Sequence, residues 1–352
     1  MISIKVPARI CFFGDHQDYL GLPVIAGSIN RYIELTAEPI DQKEFRLHLP
    51  DIQSERNIPL DSLEEVNSED YLRTAMVVLE EKGFAFKKGY AITISGDIPV
   101  NAGLSSSSAL TVAWIRFLIN IQEKKVSVSD EEIGRWAYEA EVEFFDNPGG
   151  LMDQYTIAQQ GLLYIDTQMG KTRPLLGSLG KLVVAESGIS KQTLDVLKNA
   201  RTYQEAAIAN IISKHPSFQI KKSGIGDYEL FKPLVAERYH NHWFATIHNF
   251  DITQKAKVLL EQIGNQAEAL GELMNQHQHI LEDKIGNTPD KMIAMMNEAR
   301  KAGALGTKTI GSGGGGCMVA MVTEDKKNSV IEAFLAHGAL DAYDVELTYP
   351  NQ

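Results

Sequence analysis

The stretch Pro99–Leu110, PVNAGLSSSSAL, stands between two runs of opposite period. Before it, Tyr90–Ser95 alternates apolar and polar residues as a strand does. After it, Leu110, Ala113, Trp114, Phe117, Leu118 and Ile121 recur at three- and four-residue steps, giving a helix one apolar face. The quoted segment is therefore a strand-to-helix turn. Gly103 admits backbone angles closed to other residues. The serines bring hydroxyls and N–H groups to the helix N-terminus, where orphan donors and the helix dipole can hold a phosphate. A turn with serines as plain caps is the alternative. Neither a Walker A loop nor a Rossmann fingerprint is present.

Further along, GSGGGG at Gly311–Gly316 places five of the chain's 28 glycines in six residues. Such a run costs backbone entropy, and a simple turn needs one or two glycines. It lies between a helix ending near Gly303 and the strand Cys317–Thr323. Close approach to the backbone by a ligand, or by the first glycine loop, accounts for it better than a linker does.

Working outward, Ile2–Val6 reads as a short strand ended by Pro7, followed by the apolar run Ile10–Phe13 and the polar cluster DHQDY. Strands are expected within Thr36–Leu49, a loop with a short helix over Asp51–Asp70, and a helix over Tyr71–Glu81. Ser129 with Glu132 three residues later fits a capping box, opening a helix that runs to Phe144 and breaks at NPGG. A strand is expected over Leu162–Ile165. The segment TQMGKTRPLLG reads as the junction of two halves, which sets domains at 1–172 and 173–352. The second half is mostly helical, with one long pattern through Ile263, Leu270, Leu273 and Leu281, and strand character in LDAYDVELTY. This irregular mixture favours an α+β fold.

The chain has 352 residues, with 34 Lys+Arg against 46 Asp+Glu and a net charge of −12. That balance argues against a nonspecific nucleic-acid or anionic-membrane binder. Two cysteines, Cys11 and Cys317, cannot build a disulfide framework. With no signal-peptide pattern and no run long enough to span a bilayer, the expectation is a soluble cytoplasmic protein.

The charged side chains suited to chemistry fall into a few constellations. Glu141 falls on the apolar face shared by Ile133 and Ala137, where a carboxylate must be paired, protonated or cation-bound. A salt bridge to Arg and a Mg²⁺ site with phosphate oxygens are both open. Arg9, Asp15, His16 and Asp18 crowd within ten residues and suit phosphoryl charge and hydroxyl groups. Asp153, after a glycine turn, is placed as a base or as a helix cap. His277 reads as a core histidine, and His240 with His242 lacks the further ligands of a zinc site.

Three segments in this order, PARICFFGDHQDYLG, PVNAGLSSSSAL and GTKTIGSGGGGCMVAMV, resemble the GHMP kinases, named for galactokinase, homoserine kinase, mevalonate kinase and phosphomevalonate kinase. The first motif and AEVEFFDNPGGLMDQY look most like galactokinase, whereas GSGGGG is nearer mevalonate kinase. The resemblance implies an N-terminal domain like domain 2 of ribosomal protein S5 and a ferredoxin-like C-terminal domain. It implies an ATP- and Mg²⁺-dependent kinase acting on the anomeric hydroxyl of a sugar. Asp153 and Arg9 would be catalytic, and Asp15, His16 and Asp18 would hold the sugar. Gly103, Leu104, Ser105, Ser106, Ser107 and Ser108, with Gly313 and Gly314, would surround the ATP phosphates, and Ser107 and Glu141 would bind Mg²⁺. A mevalonate-type kinase and a non-catalytic ATP- and sugar-binding sensor are the rivals.

Overall fold

The structure, a computed structural model, describes residues 1–61, 67, 69–190 and 193–350, with the side chains of 193–198 outside that description. The first half supplies strands β1 (Ile2–Phe13), β2 (Val24–Ile40), β3 (Glu44–Leu49), β4 (Ser54–Pro59), β5 (Gly89–Gly96), β6 (Leu162–Asp166) and β7 (Lys171–Pro174). Its helices are α1 (Tyr71–Glu81), α2 (Ser106–Asn120), α3 (Asp130–Tyr138) and α4 (Met152–Gln159). The seven strands form one sheet in the order β4-β3-β5-β2-β6-β7, and β1 runs along the other edge of β2. All pairs are antiparallel except β3 with β5.

Pro7 does not end β1. The strand passes through it by a register shift between Pro7 and Ala8 and carries Arg9 onward to the apolar run. A bulge is where a sheet tolerates a residue without an N–H donor. The expected loop over Asp51–Asp70 contains β4 and a short 3₁₀ turn at Pro50–Ile52, while 62–66 and 68 lie outside the described residues. TQMGKTRPLLG contains β7, which pairs with β6 as a hairpin.

The second half adds β8 (Lys181–Glu186), α5 (Thr193–Lys214), α6 (Asp227–Phe231), α7 (His240–Glu261), α8 (Ala267–Ile280), α9 (Asp290–Lys301), β9 (Gly306–Thr309), β10 (Cys317–Val322), α10 (Lys327–Ala336) and β11 (Asp341–Val345). Its four strands run in the order β11-β8-β10-β9. The apolar run CMVAMV is buried on both faces. Met318, Ala320 and Val322 meet Met292, Met295, Met296, Val330 and Phe334 from α9 and α10. Cys317, Val319 and Met321 turn the other way, into a core continuous with that of the first sheet. The expected single long helix is two, α7 and α8, parted at a turn where Ile263 is fully exposed. Among the described residues no helix is long and apolar enough to cross a membrane.

Candidate active site

Helix α2 starts immediately after the first glycine loop. Asn101 has φ +56°, Gly103 +91° and Ser105, at the N-cap, +60°, so the loop turns through three left-handed residues. No side chain caps this helix, which leaves its first N–H groups to be met by something else. Arg9, buried on β1, reaches across to the loop and donates from Nη1 to Gly103 O at 2.6 Å. Its Nε and Nη2 grip the carboxylate of Asp153, in the first turn of α4, at 2.6 and 2.7 Å. Ser105 donates to the same carboxylate at 2.5 Å. A strand, a loop and a helix are thus tied at one point by a two-pronged ion pair.

Glu141 sits in a single π turn, Glu139–Glu143, that follows α3. The capping box at Ser129 and Glu132 is present and fixes where α3 begins. Glu141 is buried, and its carboxylate accepts from Ser108 at 2.7 Å, Thr111 at 2.8 Å and the amide of Gln154. Burial pushes its pKa up to about 7 despite those three donors. Among the described residues no cation forms an ion pair with it. Of the two open readings, a salt bridge to Arg is not found among the described residues, where three neutral donors hold the carboxylate.

These groups line a cavity of about 190 Å³ whose wall includes Arg9, Asp18, Ser107, Glu141, Asp153 and Ser312. Asp18 has the Tyr19 N–H on Oδ1 at 3.0 Å and no ion-pair partner among the described residues. Burial, with the charge of Asp153 next, raises its pKa to about 7. Asp15 and His16 also line the cavity, each held by protein groups. Asp15 is paired with Lys308 of β9 at 2.7 Å.

His16 contacts Tyr19 Oη at 3.1 Å through Nδ1, and Ser312 O and Asn287 Nδ2 at 3.0 and 3.1 Å through Nε2. The Thr246 hydroxyl donates to His242 O, so Gln204 must donate its amide to Thr246 and turn Oε1 toward Tyr19. Tyr19 then donates to Gln204 at 2.6 Å.

Of the loop residues named from sequence, Leu104 is core, Ser105 serves Asp153 and Ser108 serves Glu141. Ser107 lines the cavity, and Ser106 stands in the uncapped first turn. The second glycine loop reaches the cavity through Gly311 and Ser312. Gly313 and Gly314 pack against Asn287 instead, the latter donating to Asn287 O at 2.6 Å. The two loops touch directly, since Cys317 N donates to Ala102 O at 2.8 Å. Sequence reading missed Lys308, Asn287, Gln154 and Thr111. Each contacts a group distant in the chain, and for Gln154 its place beside Asp153 was a usable signal.

The family description "GHMP kinases N terminal domain" matches residues 70–161, and "GHMP kinases C terminal" matches 256–340. The chain belongs to the GHMP kinase family. Among its relatives, the mevalonate kinase of Thermococcus gammatolerans is 29% identical over 96% of this chain and 93% of that protein. The galactokinase of Pyrococcus furiosus is 25% identical over 95% and 92%. In fold, this GHMP kinase superposes on the galactokinase of Lactococcus lactis complexed with galactose with a TM-score of 0.86, at 20% identity over 98% and 93% of the two chains. A solved mevalonate kinase gives 0.73 at 20% identity. The two-domain α+β architecture of GHMP kinases is therefore the fold of this chain.

The donor set also suits the metal and nucleotide that such kinases use. The Ser107 hydroxyl and the buried Glu141 carboxylate, which has no ion-pair partner among the described residues, are hard oxygen ligands, and the uncapped N-terminus of α2 offers N–H groups to an anion.

Proposed function

We propose that this GHMP kinase transfers the γ-phosphoryl group of ATP to the anomeric hydroxyl of a monosaccharide. The observation that carries the reading is Asp18. Its carboxylate stands in the cavity near Asp153, has no ion-pair partner among the described residues, and feels that neighbour's charge. Two carboxylates at the acceptor end suit a neutral polyol whose hydroxyls donate to them. An acceptor carrying its own carboxylate, as mevalonate does, would meet like charge there.

Arg9 fixes the Asp153 carboxylate in place while Ser105 holds one of its oxygens. The acceptor hydroxyl donates to Asp153, which orients it and takes its proton as the O–P bond forms. The Arg9 guanidinium lies beside the attacking oxygen and offsets its charge. The first turn of α2 would offer N–H groups to the phosphates, and Ser107 and Glu141, which line the same cavity, would hold Mg²⁺. Mg²⁺ neutralises β,γ-phosphate charge when bound. Alignment and electrostatics supply most of the catalysis in such transfers.

The rival reading, a mevalonate-type kinase, is favoured by the GSGGGG loop and by the mevalonate kinases among the relatives. A non-catalytic sensor would not need Asp153, Arg9, Ser107 and Glu141 together. The deciding experiment is ADP release from Mg·ATP with free sugars, sugar acids and mevalonate, followed by ³¹P NMR of the product. A sugar 1-phosphate is the expected result. Turnover of mevalonate alone would overturn the reading, and Asp153→Asn should lower kcat by about 100-fold or more.

A further inference from the structure

Lys308 is fully buried on β9, a short strand of the second sheet. Its Nζ lies 2.7 Å from Asp15 Oδ2 and donates to Thr309 O at 2.6 Å. The Asp15 side chain is only 2% exposed, yet it lines the cavity. Its Oδ1 has no partner in full hydrogen-bond geometry among the described residues, and the weak thiol donor of Cys11 is the side chain besides Lys308 that hydrogen-bonds to the carboxylate. The groups around it come from several elements: Cys11 and Arg9 from β1, His277 from α8, His16 and Asp18 from its own loop. Neither ring nitrogen of His277 has a hydrogen bond, and the ring stacks on Phe13 with centroids 6.4 Å apart. Lysine 308's ammonium is thus the positive charge paired with this carboxylate. It comes from the half of the chain opposite to the one bearing Asp15.

A buried carboxylate with one oxygen held by a cation and the other lacking a partner in full hydrogen-bond geometry at a cavity wall is an acceptor waiting for a donor. The cavity's acceptor end supplies that donor when a hydroxyl-bearing substrate enters. We propose that Lys308 is a positioning residue of the acceptor site, acting through Asp15: it holds the carboxylate so that Oδ1 accepts a hydroxyl of the molecule being phosphorylated. This rests on reading the cavity as the site of a hydroxyl-bearing acceptor. It adds a residue of the second sheet, outside the glycine loops, to the determinants of acceptor recognition. Removing the ammonium leaves a buried anion uncompensated, so the carboxylate turns away or takes up a proton, and the contact with substrate is lost either way.

The test is steady-state kinetics of Lys308→Met, Asp15→Asn and the double variant, with whichever acceptor the wild type phosphorylates. Lys308→Met is expected to raise the acceptor KM by about 10- to 100-fold, with kcat and the KM for ATP within about threefold. In the Asp15→Asn background the same change should have no further effect on the acceptor KM, because its route is already cut. An unchanged acceptor KM would overturn the proposal, as would an effect that adds in full to that of Asp15→Asn. If Lys308→Met does not fold, the comparison of Asp15→Asn with the charge-free double variant decides by the same criterion. Turnover of mevalonate alone would sink the sugar reading and still leave Lys308 to be judged on mevalonate.

Discussion

Gly150 and Asp18 stand so close that a Cβ on the glycine would lie 2.2 Å from Asp18 Oδ2 and 2.4 Å from its Cγ. Gly150, the second glycine after NP, therefore makes room for the one acceptor-site carboxylate that has no ion-pair partner among the described residues. Gly150→Ala must displace the whole Asp18 side chain, since Asp18 Cβ would also be only 2.8 Å away. The expected outcome is a rise of about tenfold or more in acceptor KM, the KM for ATP holding steady. Overpacking of this kind costs about 1–3 kcal/mol of stability. A crystal structure of the variant showing Asp18 unmoved would contradict the argument.

The same carboxylate predicts a pH dependence. Asp18 is raised to about 7 in the folded chain, by burial first and by Asp153 second, against about 3.9 for an unfolded aspartate. The folded state therefore binds the proton more tightly. The stability this contributes is complete below the unfolded value and is lost as pH rises through 7. Asp18→Asn abolishes that loss. Without ligand, its melting temperature should gain on the wild type from pH 5 to about pH 7 and level off above that. Acceptor binding moves the other way in the wild type, because Asp18 accepts hydroxyls best as an anion. A melting-temperature difference independent of pH would show that Asp18 is not the group responsible.

What the sequence made legible was local. Helix α1 at Tyr71–Glu81 and the capping box at Ser129 and Glu132 follow from contacts within one or two turns. The first motif and the segment AEVEFFDNPGGLMDQY imply by resemblance that Arg9, Asp153 and Glu141 share a site, and the three line one cavity. β4 was not legible. SERNIP is a polar edge strand in which Ile58 alone is fully buried, so alternation barely registers. The break after α7 was hidden because apolar spacing across Ile263 mimics a continuing helix, whereas the backbone turns extended at Gln262 and Asn265 accepts from the Ala267 N–H where α8 begins. Lys308 was invisible for a different reason. A lysine in a strand reads as a solvated face, and only the fold brings Asp15, 293 positions earlier in the chain, against it.

Glu141 gives a prediction about metal. Ser108, Thr111 and Gln154 hold the carboxylate in position with neutral donors alone, leaving its charge to be met by a cation. Glu141→Gln keeps the shape and removes the charge. The Mg²⁺ concentration giving half-maximal rate should rise by about tenfold or more, and chelation of divalent ions should stop turnover in the wild type. A Mg²⁺ titration at saturating ATP and acceptor checks both. If the Gln variant titrates like the wild type, Glu141 is a structural residue of the π turn and the metal is held elsewhere.

The contact between the two glycine loops sets the last prediction. Gly316 has φ +85°, and a Cβ there would lie 2.6 Å from Ala102 O, the carbonyl that accepts the Cys317 N–H. Gly316→Ala therefore combines a backbone conformation that side chains disfavour with a wedge between the loops. Ala102 precedes Gly103, whose carbonyl anchors Arg9, so the displacement passes to the guanidinium that holds Asp153. Activity should fall by about tenfold or more through kcat, with a lower melting temperature. Gly224→Ala is the matched control. That glycine has no atom within 4 Å of its would-be Cβ and no left-handed φ, so the change should be close to neutral. Loss of melting temperature with kcat intact in Gly316→Ala would mean that the loops are joined for stability alone, and that Arg9 keeps its place without them.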